Sequence, residues 1–395
     1  MDFSVNEERA KKIAAMRAQK ERQLRNRELA RKYFPFALGG VVVCAAAISI
    51  SMNAHFRSTD NQQSASLQSN EIVADTYVIN ESSKEEAVDE NPVQEEKAET
   101  REAIVQLPPE PETTLVGDTE VFYGYRASIK SACKLLGEEE IPSEFACLIN
   151  AATGEIIAQK NAVEKMYPAS MTKIMTALVA CEQITDPDEK VIMTIESTDY
   201  AYANDCSSAG FLVDEELTVR DLLYGTILPS GGEAAHALAL HVAGSQEAFV
   251  ELMNQKVEEL GLSETTHFEN CVGIFSKENY STCHDIAMIL KAAVENDLCR
   301  EILSAKRSTT SQTAQHPEGI NLSNLFLRRI EDKETGGDVL CAKTGFVNQS
   351  GSCAASYFVS KDGVPYFCVT GKSTSSWRAI YDHVYLYSTY AKTTE

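Results

Sequence analysis

The chain has 395 residues with 44% hydrophobic content, enough for a tail plus one large domain or two ordinary ones, so part of it must be globular. A formal net charge of -22 excludes broad electrostatic binding to nucleic acid, which needs a basic surface to meet phosphate. Eleven cysteines include no CxxC pair and no Cys/His cluster at zinc-ligand spacing, which argues against a structural metal site.

In chain order, residues 1 to 32 form a basic head with ten Lys or Arg against five acids, so the remainder is correspondingly more acidic. The stretch YFPFALGGVVVCAAAISISM, residues 33 to 52, carries no charge. Its roughly 20 residues match one crossing of about 30 Å of hydrocarbon. An uncleaved transmembrane helix is the expectation, with a cleavable signal peptide as the alternative, because no clean small-x-small site follows it. By the positive-inside rule the basic head stays in the cytoplasm and the rest lies outside. The head reads as a juxtamembrane segment on anionic lipid, since Glu is interspersed among its cations. Residues 53 to 116 are rich in Glu, Ser, Gln and Asn and end in LPPEPETT, a disordered acidic linker by composition.

From 117 to 395 the pattern is globular. EFACLINAATGEIIAQK has two apolar runs around Thr153-Gly154 and predicts a β-hairpin. After Pro168, Met171, Ile174, Met175, Leu178 and Val179 recur at helical spacing with hardly a charge among them, so this helix is expected to be buried. VRDLLYGTIL predicts a second helix, broken by Pro229 and Ser230-Gly231-Gly232 before EAAHALALHVA resumes. Ser245 is placed to cap the next helix, with Phe249, Met253, Val257 and Leu260 on one face and Gly261 at its end. VLCAKTGF, SCAASYFVS and PYFCVTG, separated by NQSG and KDG, predict an antiparallel meander, and SSWRAIYDHVYLYSTY a closing helix. Cys147, Cys181, Cys341, Cys353 and Cys368 sit in apolar runs and are expected to be buried thiols, with disulfides as the alternative.

Three short motifs can carry chemistry. Ser170-Met171-Thr172-Lys173 puts a hydroxyl and an amine one turn apart at a helix start. A lysine kept neutral by burial and a nearby cation can take the serine proton, and helix N-terminal N–H groups suit an oxyanion. Alone, S-x-x-K is weak, and Ser131-Ala132-Cys133-Lys134 is a second copy, read as coincidence for want of a helix mouth. Lys343-Thr344-Gly345 on a strand offers a cation and a hydroxyl to a carboxylate, and a glycine that lets a substrate backbone lie close. Ser230-Gly231-Gly232 sits between helices.

PASMTK, LLYGTILPSGGEAA and CAKTGF, in that order, resemble the S-x-x-K, S-x-N and K-T-G motifs of the serine D-alanyl-D-alanine carboxypeptidases, relatives of the β-lactamases. The Thr266-His267-Phe268, Tyr280-Ser281-Thr282 and NLSNLFL segments are further echoes, and the resemblance covers about residues 140 to 390. It implies an α/β fold of the β-lactamase/penicillin-binding type: an antiparallel sheet flanked by helices, an all-helical subdomain, and a site in the cleft between them. It implies that Ser170 is acylated, Lys173 is its base, and Ser230 relays a proton to the leaving amine. Lys343 and Thr344 would meet the substrate carboxylate, with Gly345 beside them and Arg378 helping to hold that group. The N–H groups of Ser170 and Phe346 would form the oxyanion hole. Expected partners are peptidoglycan stem peptides ending in D-Ala-D-Ala, β-lactams and the bacterial membrane; no cofactor is expected.

Two departures stand out. Gly232 replaces the family's usual Asn, which would bond the substrate amide and the lysines, so turnover is expected to be slow and Gly232→Asn to raise it if the surrounding backbone accepts the side chain. The C-terminal anchor and second β-domain often carried by such enzymes are not expected. The rival readings are a β-lactamase, a DD-endopeptidase, and a catalytically weak binding protein.

Overall fold

The computed structural model describes residues 112–116 and 119–391. The basic head, the expected membrane span at 33–52 and most of the expected linker lie outside the described residues. In chain order the elements are β1 (Glu112–Val116), β2 (Thr119–Tyr123), β3 (Ser128–Leu135), β4 (Phe145–Asn150), β5 (Glu155–Lys160), a 3-10 turn (Ala169–Met171), α1 (Thr172–Gln183), β6 (Lys190–Ile192), α2 (Ile195–Ala203), β7 (Glu216–Thr218), α3 (Val219–Ile227), α4 (Gly232–Ala243), α5 (Gln246–Glu259), α6 (Cys283–Glu295), α7 (Asp297–Ser304), β8 (Arg307–Thr309), β9 (Asn321–Ser323), α8 (Leu325–Ile330), β10 (Gly337–Val347), β11 (Gly351–Ser360), β12 (Pro365–Ser373) and α9 (Ser376–Tyr390). The β1–β2 hairpin starts at Glu112, inside the stretch that composition assigned to the linker.

Six strands form the central sheet in the order β10-β11-β12-β4-β5-β3. Every neighbouring pair is antiparallel except β3 with β5, which is parallel. The expected antiparallel sheet is corrected at that edge: the chain leaves β3 and passes beyond β5 before the β4–β5 hairpin forms.

Both faces of the sheet are covered, and the strand period of two divides the side chains between them. Along β4, Cys147 and Ile149 join the larger core, which also holds Met171, Ile174, Leu238 and Ile286 from the helices. Ala146 and Leu148 point the other way and pack with Phe358, Leu386 and Tyr387. This explains the unbroken apolar runs in the sequence, because a strand covered on both sides has no polar face. Helix α1 is buried from Thr172 through Cys181. The ten described cysteines are free thiols, most of them buried. Burial pushes the Cys147 and Cys283 thiols well above their usual range.

Helix ends follow local chemistry. Ser245 caps α5 by accepting from Ala248 N–H, as its position predicts, and α3 begins with a capping box between Thr218 and Asp221. By contrast α1 has no side-chain cap, so its first-turn N–H groups are not tied down by a local side chain.

His383 on α9 is fully buried, its Nδ1 2.7 Å from Ser356 Oγ and its Nε2 3.1 Å from Thr370 Oγ1. Burial drives its pKa down to about 3. Below about pH 6.5 the unfolded chain takes a proton that the folded chain refuses until about pH 3, so stability falls as pH falls through that window. We expect His383 to contribute a slope of up to about 1.4 kcal/mol per pH unit there. Urea unfolding at several pH values checks this, and His383→Gln should be less pH-sensitive than the wild type.

Candidate active site

The 3-10 turn and the mouth of α1 place Ser170 where the chain turns sharply. Ala169, immediately before it, adopts φ 48, the left-handed region that non-glycine residues avoid. Lys173, one turn on, is 1% exposed, and its Nζ lies 3.2 Å from Ser170 Oγ. The same Nζ donates to the Val272 carbonyl at 2.6 Å. The loop carrying that carbonyl is tied by Asn270, whose Oδ1 accepts from the N–H groups of Val272, Gly273 and Ile274 at 3.2, 2.7 and 3.1 Å. Asn270 therefore fixes the lysine at one remove.

The second half comes from β10, an edge strand, and the break between α3 and α4. Lys343 is 1% exposed and donates to Ser230 Oγ at 2.8 Å and to the Thr344 carbonyl at 2.8 Å. A bulge between Val339 and Cys341 resets the register of β10. Lys343 then pairs with Ala355 and Gly345 with Cys353, both members of the helix-side core, so the lysine faces the helices. Asn324, the N-cap of α8, donates to the Ala342 carbonyl at 2.9 Å and braces the strand next to Lys343. Ser230 also has a positive φ, 65. At Gly345 an added Cβ would lie 2.9 Å from the Pro168 carbonyl oxygen and 3.0 Å from Ser170 N. Only glycine lets β10 approach the nucleophile's backbone this closely.

Burial holds Lys173 below the usual lysine range, although the nearby Cys206, Cys271 and Glu233 act in the opposite direction. Burial, reinforced by the Lys173 charge, holds Lys343 well below that range. Two buried amines facing one cleft cannot both keep a proton cheaply. A neutral Lys173 has a lone pair for the Ser170 proton, and a second amine bonded to Ser230 can pass a proton through that hydroxyl.

Ser170 and Lys173 thus form one side-chain pair and Ser230 and Lys343 another, and Gly345 sets the distance between β10 and Ser170. Phe346, next along β10, is 62% exposed. Arg378 is not joined to them: it pairs with Asp382 at 3.5 Å, and its N–H bonds the Ser375 cap of α9. The second S-x-x-K copy lies on β3, an edge strand, where Ser131 and Lys134 are both exposed and Lys134 pairs with Glu140 at 3.0 Å. His267 is a bridging residue, its Nδ1 2.7 Å from the Glu278 carbonyl oxygen.

The condition attached to Gly232→Asn is not met. A Cβ there would meet Cys206 Cβ at 2.4 Å and its sulfur at 2.9 Å, so Gly232→Asn does not fit as the chain stands. Sequence reading missed Cys206 and Asn270, and flagged Asn324 only as part of the NLSNLFL stretch, because each is brought to the site by tertiary folding. A Gly three residues after Asn270 was the one local hint of a tight loop. A cavity of about 320 Å³, walled in part by Lys165, Tyr167, Lys277 and Gln349, contains none of the motif side chains.

Residues 132–369 match the family model described as D-alanyl-D-alanine carboxypeptidase, peptidase S11. The D-alanyl-D-alanine carboxypeptidase DacF of Bacillus subtilis is 34% identical over 179 residues, 45% of this chain and 46% of that protein. The corresponding figures for DacC of Escherichia coli are 38% over 199 residues, 48% and 50%. The alignments therefore span about half the length of these curated relatives. The crystal structure of the Streptomyces K15 DD-transpeptidase matches with a TM-score of 0.57 at 29% identity, covering 63% of this chain and 97% of that one.

Proposed function

We propose that this chain, which belongs to the D-alanyl-D-alanine carboxypeptidase family, removes the terminal D-alanine from peptidoglycan stem peptides through an acyl-enzyme on Ser170. The observation that carries this reading is the meeting of two buried lysines on two serines, Lys173 with Ser170 and Lys343 with Ser230. Ser170 Oγ attacks the carbonyl of the penultimate D-alanine as its proton passes to Lys173. The N–H groups of Ser170 and Phe346 bond the developing oxyanion. Ser230, backed by Lys343, hands a proton to the departing D-alanine nitrogen, and water then hydrolyses the ester. Lys343, Thr344 and Arg378 are the groups we assign to the substrate carboxylate. β-Lactams enter as acylating analogues, and no metal or cofactor has a part in this scheme.

The test is release of D-alanine from a peptide ending in D-Ala-D-Ala. We expect measurable turnover. Intact folding and penicillin acylation without release of D-alanine would favour the weakly catalytic binding protein over the carboxypeptidase.

We further propose that residues 33–52 anchor the chain in a bacterial membrane, with the N-terminus cytoplasmic and the family domain outside, on the strength of their uncharged composition and the basic residues before them. No helix among the described residues is long and apolar enough to cross a membrane. Protease added to intact protoplasts should cut between residues 53 and 116 and release an active fragment; full protection would overturn the topology.

A further inference from the structure

The middle motif is incomplete by sequence, since residue 232 has no side chain, yet the space over it is filled. A Cβ at Gly232 would point at Cys206, 2.4 Å from its Cβ and 2.9 Å from its sulfur, with Ala201 Cβ at 3.4 Å. Cys206 belongs to the segment between α2 and β7, and this segment is fastened to the motif at several points. Gly232 N–H donates to the Ser207 carbonyl at 2.7 Å, while Cys206 N–H is tied back to α2 through the Ala201 carbonyl at 2.9 Å. Glu233, 2% exposed, accepts through Oε1 from Ser208 Oγ at 2.6 Å and Gly210 N–H at 2.9 Å. Its Oε2 is buried without a hydrogen-bond partner among the described residues. The thiol is partly buried and lies near enough to Lys173 for each to bear on the other's ionisation.

We propose that Cys206 supplies, from a different segment of the chain, the side chain of the third position of the middle motif, so that Cys206 and Gly232 form one complementary unit. Cys206 is then a positioning residue: its sulfur closes the α4 side of the cleft over Lys173 and keeps water off the amine. Burial pushes the Cys206 thiol up, so it works as a neutral group. The groups facing Lys173 are Ser170 and the Val272 carbonyl by contact, Lys343 and Glu233 by charge, and the thiols of Cys206 and Cys271 as neutral neighbours. The inference rests on the active-site reading above for its kinetic consequence, but not for its packing consequence.

The test moves the thiol from one segment to the other. Penicillin acylation rates across pH, and thermal unfolding, are measured for the wild type, Gly232→Cys, Cys206→Gly and the double variant Cys206→Gly/Gly232→Cys. Gly232→Cys places two side chains in one space and should lower both the unfolding temperature and the acylation rate, the latter by roughly tenfold or more. Cys206→Gly admits water to Lys173, relieves its desolvation and should move the low-pH limb of the acylation profile to higher pH. The double variant should regain most of both losses seen in Gly232→Cys and move the limb back toward its wild-type position. Independent losses that simply add in the double variant, or a Cys206→Gly profile that overlays the wild type, would overturn the proposal. If the wild type is not acylated at all, the reading of the site fails, and coupling between the two positions in thermal unfolding still decides whether they share one space.

Discussion

Replacing Lys173 with alanine is expected to slow acylation by penicillin by about 100- to 10,000-fold, the range that a positioned general base contributes. The effect is large because, among the described residues, no other hydrogen-bond partner of Ser170 Oγ can take its proton: the other is the Val272 carbonyl, an acceptor of hydrogen bonds with no useful basicity, at 3.5 Å. Lys343 is engaged with Ser230 on the other side of the cleft. The pH dependence follows with a definite sign. Burial lowers the Lys173 pKa, so the neutral, competent amine is present above that lowered value and lost below it. Wild-type acylation should rise with pH through a value below the ordinary lysine pKa of about 10.4, and the Lys173→Ala profile should lack that limb. Near-wild-type acylation by the variant, or a wild-type limb at the ordinary lysine value, would remove Lys173 from the role of base.

Much of this cleft was legible in the sequence because its parts are local. The pair Ser170 and Lys173 is a helix-period signal, and the apolar spacing from Met171 to Val179 predicts the buried helix that the structure contains. The three C-terminal runs predict β10, β11 and β12 with their antiparallel pairing. Capping chemistry put the start of α5 at Ser245. What the sequence hid is nonlocal. The parallel pairing of β3 with β5 depends on a crossover whose direction no pattern in β3 records. The two-stranded sheets β6–β7 and β8–β9 have three residues per strand, too few to show a period. Asn270 reads as an ordinary loop residue until its side chain is seen to gather three N–H groups beneath Lys173. Cys206 illustrates the same limit: a gap at Gly232, judged from the motif alone, is a filled space once the α2–β7 segment is laid over it.

Ser170→Ala is the other change with a near-complete expected effect, because it deletes the atom to which the acyl group is bonded while leaving a small side chain at the mouth of α1. The alternative nucleophile, Ser131, stands on an edge strand with its motif lysine paired to Glu140, so Ser131→Ala should label like the wild type. The most direct measurement is therefore intact-protein and peptide mass spectrometry after exposure to penicillin, on the wild type and both variants. One adduct per chain, located on the peptide that contains Ser170 and absent only from Ser170→Ala, is the expected result. An adduct that persists in Ser170→Ala, or that maps to a peptide without Ser170, would contradict the assignment of Ser170 as the nucleophile.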